Sequence, residues 1–261
     1  MVSFPLVEDP ETHLVAWTTT PWTLPSNLAL CLHPEMVYVK ILDLEKNKQF
    51  ILAESRLGEL YKKKKDKKEE NKLLEKYKGT DLAGKKYVPL FNYFYEKYKA
   101  SAFRVICDTF VTSDSGTGIV HCAPGFGEDD YKACLQNKII EKGEDVPCPL
   151  DPNGRFVDPV TDWKGMFVKS ADDKICEKLK ENGRLVSKGT IVHSYPFCWR
   201  SDEPLIYRAV PSWFVRVESI KPQLLKNNNQ TYWVPDFVKS KRFHNWLEEA
   251  RDWAISRSRY W

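Results

Sequence analysis

The sequence lacks the features of a secreted, membrane-embedded or zinc-ribbon protein. No two of its 7 cysteines are spaced as C-x-x-C and their number is odd, which argues against a disulfide framework and a self-contained zinc ribbon. No apolar run reaches the roughly 18 residues of a membrane span, and no apolar stretch follows a basic N-terminus as in a signal peptide. We therefore expect a reduced, cytoplasmic protein that makes no membrane contact and binds no metal.

A strong excess of charge is also absent. The 40 basic and 36 acidic residues give a net charge of +4, which is too small to indicate nucleic-acid binding by itself. Hydrophobic residues make up 42% of the chain and aromatic residues 13%, so a disordered chain is excluded. With 261 residues, the chain has room for one large domain or two small ones.

The residue pattern predicts a mixed α/β protein. Runs of β-branched and aromatic residues predict strands at 13–17, 36–42, 50–53, 103–111 and 118–123. Helices are predicted to begin near 129, to run from 171 to 182, and to begin near 243. Gly183 stands where a left-handed helix C-cap is expected. We interpret one apolar stripe of the third helix as core packing: Phe243, Trp246, Leu247, Ala250 and Trp253.

Residues 61–78 differ from their surroundings because lysines crowd positions 62–68 and acidic residues follow. Length and charge are typical of a solvated insertion, either helical or disordered. Contact with the phosphates of a nucleic acid is the alternative interpretation.

Hydroxyl groups crowd the end of the first predicted strand. Thr18, Thr19 and Thr20 follow one another, and Thr23 comes one turn later. Hydroxyls at the end of a strand can orient a water molecule or a ligand carbonyl. Threonine-rich strand ends are common, however, so the pattern alone favours a structural role.

A second polar segment, residues 116–130, combines a strand, a turn rich in glycine and proline, and an acidic helix start. His121 lies in its strand, and Asp130 belongs to its acidic cluster. A single histidine is more often a core residue than a catalyst, and an acidic run is more often a helix cap than a ligand. Taken together, the segment places polar groups at the rim of a sheet or barrel.

The two segments occur in an order that resembles a known family. Residues 14–30 resemble the first editing motif of isoleucyl-tRNA synthetases, and residues 116–130 resemble the second. Residues 193–205, 210–214 and 251–261 resemble the segments that lead back to the synthetic domain. Thr20 is followed by Pro21 and Trp22, as in the isoleucyl members rather than the valyl and leucyl ones. The eukaryotic cytosolic branch is the most similar.

The resemblance implies an editing domain, that is, a hydrolase that removes wrongly attached valine from tRNA(Ile), and from the valyl-adenylate as a further substrate. It places Thr18, Thr19 and Thr20 at the reaction centre and makes Asp130 the carboxylate that grips the α-ammonium group of the substrate. A carboxylate–ammonium contact in a partly desolvated pocket is strong and directional. A water molecule held by the threonines would attack the ester, and no covalent intermediate is needed.

The resemblance also assigns substrate-binding positions beside Asp130. Among them, His121 matches the wall that limits the length of the bound amino acid, with a general-base role as the alternative. The second pocket then acts as the fine sieve of a double-sieve mechanism, for which the isoleucine enzyme is the standard example. The substrate-binding residues implied in this way are Trp17, Trp22, Thr23, Asn27 and His121.

The resemblance further implies partners and cofactors. The partners would be tRNA(Ile) charged with valine, the rest of the synthetase chain and a multi-synthetase complex. Editing requires no cofactor, whereas the parent enzyme uses ATP and Mg²⁺ in a synthetic domain whose signature motifs this sequence lacks. Some family members hold zinc through a C-x-x-C pair at the position of Cys198, and that pair is incomplete here.

Two alternatives belong to other classes of function. An RNA-docking module without catalysis would use the basic residues near the C-terminus, but it would not need both Asp130 and the threonine run. A small-molecule esterase is disfavoured because no G-x-S-x-G motif is present. The basic residues in question are Lys239, Lys241, Arg242, Arg251, Arg257 and Arg259.

The expected fold is an α/β domain with a small, largely closed β-barrel core surrounded by helices, the fold of valyl, leucyl and isoleucyl editing domains. Strands from 13–53 and 103–123 would build the barrel, and the site would lie at its rim. Residues 1–261 would form this domain, with the lysine-rich insertion near 61–78 and a C-terminal segment from about 206 to 261 that leads back to the synthetic domain.

Overall fold

A computed structural model describes residues 1–61 and 70–257 of the chain. The chain divides into two compact units, Met1–Ala209 and Val210–Trp261. The larger unit contains the predicted site residues and most of the buried apolar side chains. None of the helices in the described ranges is long and apolar enough to cross a membrane.

Two sheets form the centre of the larger unit. The first has five strands in the order β1-β2-β5-β4-β6, and the second has three in the order β7-β3-β8. β2 runs parallel to β5, β3 runs parallel to β7, and the other pairings are antiparallel. The strands are β1 (Val2–Pro5), β2 (Thr12–Ala16), β3 (Ala29–Leu32), β4 (Val37–Asp43), β5 (Lys48–Ala53), β6 (Asn71–Lys78), β7 (Arg104–Cys107) and β8 (Ile119–Cys122).

Burial explains why these segments are strands. All residues of β1, β2 and β3 are buried, as expected for strands covered on both faces. The five strands predicted from the sequence are present, although the one predicted at 103–111 ends at Cys107. β1 and β3 were not predicted as strands.

The predicted closed barrel is not confirmed. In the described part of the chain, the continuous ladders form two separate sheets, and single bridges such as Leu6–Tyr87 and Trp17–Val120 connect them. The bridging segments pair through one residue only, so no continuous ladder closes the sheets on each other. The mixed α/β class is confirmed.

The predicted insertion near 61–78 is only partly as expected. Residues 71–78 form β6, an edge strand paired with β4, instead of a helical or disordered segment. Its side chains are mostly exposed, so the edge strand is held by ladder hydrogen bonds and carries the polar composition of a solvated face. The lysine run itself, at 62–69, lies outside the described residues.

In residues 1–61 and 70–209, the larger unit contains five helices. The two longest occur where the sequence predicted helices, and α5 begins three residues earlier than expected. Gly183 has φ of +67°, and the N–H of Arg184 donates to the carbonyl of Leu179 at 2.8 Å, which completes the predicted left-handed cap. The helices are α1 (Leu57–Leu60), α2 (Gly79–Leu82), α3 (Tyr95–Tyr98), α4 (Glu128–Gln136) and α5 (Val168–Glu181), with short 3₁₀ turns at Pro21–Ser26, Glu54–Arg56 and Thr161–Trp163.

The smaller unit contains α6 (Lys221–Asn229), α7 (His244–Glu248), a 3₁₀ turn at Glu218–Ile220, a π turn at Val238–Phe243, and the antiparallel pair β9 (Phe214–Val215) and β10 (Trp253–Ala254). The predicted helix stripe was wrong as a core element. Leu247 is buried, but Trp246 and Trp253 are 66% and 63% exposed, and Trp253 lies in a strand. A unit of this size cannot bury so many aromatic side chains by itself.

Candidate active site

A cavity of about 300 Å³ opens in the larger unit, where the chain leaves β2 and passes beside β8. Trp17 and Val120 pair there through a single parallel bridge. The lining combines polar and apolar side chains. It comprises Trp17, Thr18, Thr19, Thr20, Thr23, Phe110, Thr112, Ser115, Gly116, Thr117, Gly118, Ile119, Val120, His121, Ala123, Phe126 and Asp130.

The structure brings together most of the residues predicted for the site. Both editing-like segments, 14–30 and 116–130, contribute to this one cavity although about 100 residues of sequence separate them. Two of the nine predicted residues, Trp22 and Asn27, lie behind the lining instead, and they are 3% and 5% exposed. Their packing and hydrogen bonds support the wall of the cavity rather than its surface.

The threonine hydroxyls form a continuous row. The hydroxyl of Thr18 accepts the backbone N–H of Thr20 at 3.0 Å and lies 3.2 Å from the Thr20 hydroxyl. The 3₁₀ turn Pro21–Ser26 carries Thr23, whose hydroxyl lies 3.4 Å from that of Thr20 and donates to the Thr20 carbonyl at 2.9 Å. Thr19 is exposed at the mouth of the row. The hydroxyls are thus ordered by the backbone before any ligand binds.

The amide of Asn27 determines which nitrogen of His121 carries a proton. Asn27 Nδ2 lies 3.0 Å from the Ala29 carbonyl, which can only accept, so this atom is the donor end of the amide. The same Nδ2 lies 3.3 Å from His121 Nδ1 and donates to it, while Tyr87 donates its hydroxyl to Asn27 Oδ1 at 2.7 Å. His121 therefore accepts at Nδ1 and holds its proton at Nε2.

This tautomer bears on the pair formed by His121 and Thr23. The Thr23 hydroxyl lies 2.8 Å from His121 Nε2, a spacing that resembles a nucleophile beside its base. Because Nε2 carries the proton, the imidazole donates to Thr23 and cannot take a proton from it. Burial also lowers the pKa of His121 to about 4, so the ring stays neutral near pH 7. The geometry favours a wall over a general base.

Asp130 supplies the negative charge of the site. It stands in the first turn of α4, where the helix dipole favours an anion, and its Oδ2 accepts the backbone N–H of Ala123 at 2.9 Å. Burial nevertheless raises the pKa of Asp130 to about 6. Among the described residues that line the cavity, none is lysine or arginine. A cation in the cavity would therefore be the natural partner of this carboxylate.

Two glycines and an arginine shape the side of the cavity where segment 116–130 begins. Gly116 and Gly118 have φ of +70° and +75°, and a Cβ on Gly118 would lie 2.5 Å from the Cβ of Ala53. Arg56 donates to the carbonyls of Ser113 and Gly116 at 3.3 and 3.0 Å and so fastens the loop to the end of β5. The lining residues that lie outside the two predicted segments are Phe110, Thr112 and Ser115, and no sequence signal pointed to them.

The site offers a fixed carboxylate, a row of ordered hydroxyls and an apolar wall. In the described ranges, no group of three or more histidine, cysteine, aspartate or glutamate side chains is arranged to hold a metal ion. The arrangement can bind an ammonium group and hold a water molecule beside an ester carbonyl. It can also limit the length of an apolar side chain next to that carbonyl.

Comparisons with known proteins identify the family of the chain. Residues 39–261 match the family model of the class I tRNA synthetases (I, L, M and V). The chain is 58% identical over 260 residues to the cytoplasmic isoleucine–tRNA ligase of Mus musculus, covering all of this chain and 20% of the relative. It is 55% identical over 287 residues to the cytoplasmic isoleucine–tRNA ligase of Arabidopsis thaliana, covering all of this chain and 24% of the relative. The chain thus spans a fifth to a quarter of the length of these two relatives.

Among solved structures, the fold is similar to the editing domain of the P. knowlesi cytosolic leucyl-tRNA synthetase. The TM-score is 0.50 at 17% sequence identity, and the match covers 67% of this chain and 83% of the other. At that identity the likeness concerns the fold. The function of the site has to be argued from its residues.

Proposed function

Since the chain belongs to the class I tRNA synthetases of the isoleucine, leucine, methionine and valine group, we propose that it is the editing domain of an isoleucyl enzyme. In this proposal it hydrolyses the ester between valine and tRNA(Ile), and the valyl-adenylate is a further substrate. The observation that carries the proposal is that Asp130, a partly buried carboxylate, lines one cavity with His121 and the row of threonine hydroxyls.

Asp130 would grip the α-ammonium group of the aminoacyl ester. Its Oδ2 already accepts the N–H of Ala123, which fixes the carboxylate, and an ammonium group would restore the charge balance that burial disturbs. A carboxylate whose pKa is raised in the empty site gains more from a cation than an exposed one does. The contact therefore favours a free α-amino group, so it selects aminoacyl esters over esters whose α-amino group is acylated.

The threonine row would position the attacking water. Thr18, Thr19 and Thr20 line the cavity, and the carbonyl carbon of the ester would lie between them and Asp130. Water forms a bond to that carbon, the bond from carbon to the ribose oxygen breaks, and the ribose oxygen takes a proton from the water. The neighbouring ribose hydroxyl assists this proton transfer. An ester is already activated, so positioning can supply most of the acceleration.

His121 would set the length of the side chain that the cavity accepts. Its ring is held on both nitrogens, by Asn27 and by Thr23, so the wall is rigid. Isoleucine is longer than valine by one methylene, a difference that a single apolar pocket discriminates weakly. A second cavity closed by a fixed ring would exclude isoleucine by steric conflict and leave valine as the substrate.

The partners follow from the proposed reaction. They are tRNA(Ile) charged with valine, the remainder of the ligase chain and a multi-synthetase complex. The mouse and Arabidopsis relatives are named cytoplasmic, and we extend that location to this chain. Editing uses no cofactor. ATP and Mg²⁺ would belong to the synthetic part of the ligase, and no cluster in the described residues fits the metal.

The test is release of valine from valyl-tRNA(Ile) and of isoleucine from isoleucyl-tRNA(Ile), measured in the intact ligase. Wild type should release valine and spare isoleucine, and Asp130→Ala should release neither. His121→Ala should release both, because the wall is gone. Release of valine by Asp130→Ala at the wild-type rate would refute the role of the carboxylate. An intact ligase that binds charged tRNA without hydrolysing it would favour the RNA-docking module.

A further inference from the structure

The turn that carries Thr23 begins with a backbone donor that its own segment cannot satisfy. In the 3₁₀ turn Pro21–Ser26, Thr20 occupies the N-cap position but makes no side-chain cap, and Pro21 has no N–H. The N–H of Thr23 reaches the Thr20 carbonyl at 3.1 Å. The N–H of Trp22 is therefore the orphan of this turn, in a residue that is 3% exposed.

Asp172 satisfies that donor from α5, 150 positions away in the sequence. Its Oδ1 accepts the Trp22 N–H at 2.8 Å, the contact that an N-cap side chain normally provides. The position of Asp172 is fixed because the other face of α5 is buried through Ala171, Ile175 and Leu179. The carboxylate thus reaches the turn from an element that is anchored in the core.

The cap is coupled to the cavity on two sides. The turn begins directly after Thr20, and Thr23 contacts both Thr20 and His121. The ring of Trp22 packs edge-on against Phe126, with ring centroids 4.9 Å apart, and Phe126 lines the cavity. A shift of the turn at Trp22 would therefore move the hydroxyl row and the apolar wall together.

We propose that Asp172 is a positioning residue for the editing reaction: through the N–H of Trp22 it holds Thr20 and Thr23 where they order the attacking water. The inference rests on the proposed function, because the ordered hydroxyls matter only if hydrolysis occurs there. Asp172 is not among the residues that line the cavity. Its burial raises its pKa to about 6, which is the cost of placing a carboxylate there.

The neighbouring Asp173 provides a matched control. It stands on the same helix with the same charge, but it is exposed and pairs with Lys188 at 2.6 Å instead of with the turn. Asp172→Asn keeps an oxygen that can accept the Trp22 N–H, whereas Asp172→Ala removes the acceptor. Asp172→Glu keeps the carboxylate but displaces it by one methylene. The four variants separate charge, acceptor and position.

The variants are assayed in the intact ligase for valine release under single-turnover and steady-state conditions. We expect Asp172→Ala to lower kcat at least roughly tenfold with KM within about twofold, since Asp130 still grips the substrate. Asp172→Asn should recover most of kcat, Asp172→Glu should lose part of it, and Asp173→Ala should equal wild type. Amide hydrogen exchange at Trp22 should accelerate in Asp172→Ala and stay protected in Asp172→Asn.

Several results would overturn the inference. Wild-type kcat in a folded Asp172→Ala would do so, and so would an Asp172→Asn that is as slow as Asp172→Ala. If Asp172→Ala does not fold, Asp172→Glu decides, and wild-type kcat in that variant refutes the positioning role. A different result would refute the proposed function itself, namely wild-type ligase that does not release valine at all.

Discussion

A methyl group on Gly127 would lie 2.8 Å from the Cγ and Oδ2 atoms of Asp130. The backbone of Gly127 is extended, with φ of −141° and ψ of 135°, a conformation that any residue adopts. Glycine is therefore not needed at this position for its backbone conformation. It is needed because a side chain would collide with Asp130. Gly127 leaves the space in which the carboxylate turns back to accept the N–H of Ala123.

Gly127→Ala should displace the Asp130 carboxylate and weaken substrate binding. We expect KM for valyl-tRNA(Ile) to rise by about tenfold, because the charge-assisted contact depends on a fixed oxygen. Gly58→Ala is the control, since a Cβ there meets nothing within 4 Å. Steady-state kinetics of both variants decide the matter, and equal KM values in the two would show that the carboxylate tolerates the methyl group.

Asp130→Asn should stabilise the protein while it abolishes editing. The pKa of Asp130 is raised from 3.8 to about 6, which corresponds to about 3 kcal/mol of burial cost for the charged form at 1.36 kcal/mol per pKa unit. Urea unfolding at pH 7.5 should show a gain that approaches this value. The gain should shrink as the pH falls through 6 and vanish only below 3.8, where the wild-type carboxyl is protonated in both the folded and the unfolded state. Asp129→Asn, at an exposed carboxylate, should change stability little.

Valine release should depend on pH through Asp130. The ionised carboxylate binds the ammonium group, so kcat/KM should rise with pH and level off above about pH 6, the pKa of the free group. The pKa of His121 is about 4, so His121 does not contribute to the rise of kcat/KM near pH 6. Asp172 is raised to a similar value, so Asp172→Asn serves as the control. If the rise of kcat/KM occurs at a different pH in Asp172→Asn, the titrating group is Asp172 and not Asp130.

Thr23→Val should cost stability although it preserves the volume of the side chain. The buried Nε2–H of His121 and the Thr20 hydroxyl would both lose a partner. An unsatisfied buried donor costs roughly 1–3 kcal/mol. Thr19→Val, at an exposed hydroxyl, should stay within about 0.5 kcal/mol of wild type. Denaturant unfolding of the two variants compares them directly, and equal values would contradict the hydrogen-bonded row.

The parts of the fold predicted from the sequence are those with strong local signals. Long apolar stripes located α5, and the glycine that ends it was recognised from its position. The predicted site residues at 17–20, 23, 121 and 130 line one cavity. They were predicted from the resemblance of their two segments to the editing motifs, since the polar pattern alone favoured structural roles. Local pattern is sufficient where one short segment determines both the element and the face that it presents.

The remainder depends on contacts between distant segments, which one sequence does not show. Tyr87 and Asp172 support the site from 60 and 150 positions away, and neither residue stands in a distinctive motif. Asn27 and Trp22 were placed on the surface of the cavity, whereas the structure puts them behind it. The helical spacing of apolar residues near residue 246 suggested a buried face. Such spacing shows which residues share one face of a helix, but it does not show whether another element covers that face.

The antiparallel pairing of β3 with β8 sets Leu30 opposite His121, and β3 also provides the Ala29 carbonyl that orients Asn27. Because successive side chains of a strand face opposite ways, a slip of one residue in this pairing would turn His121 out of the cavity. His121 could then no longer limit the length of the bound amino acid, although no residue had been replaced. In the proposed function, the discrimination between valine and isoleucine would therefore depend on strand alignment, so a single inserted residue within 119–122 should be more damaging than a longer insertion in the loops between β5 and β7.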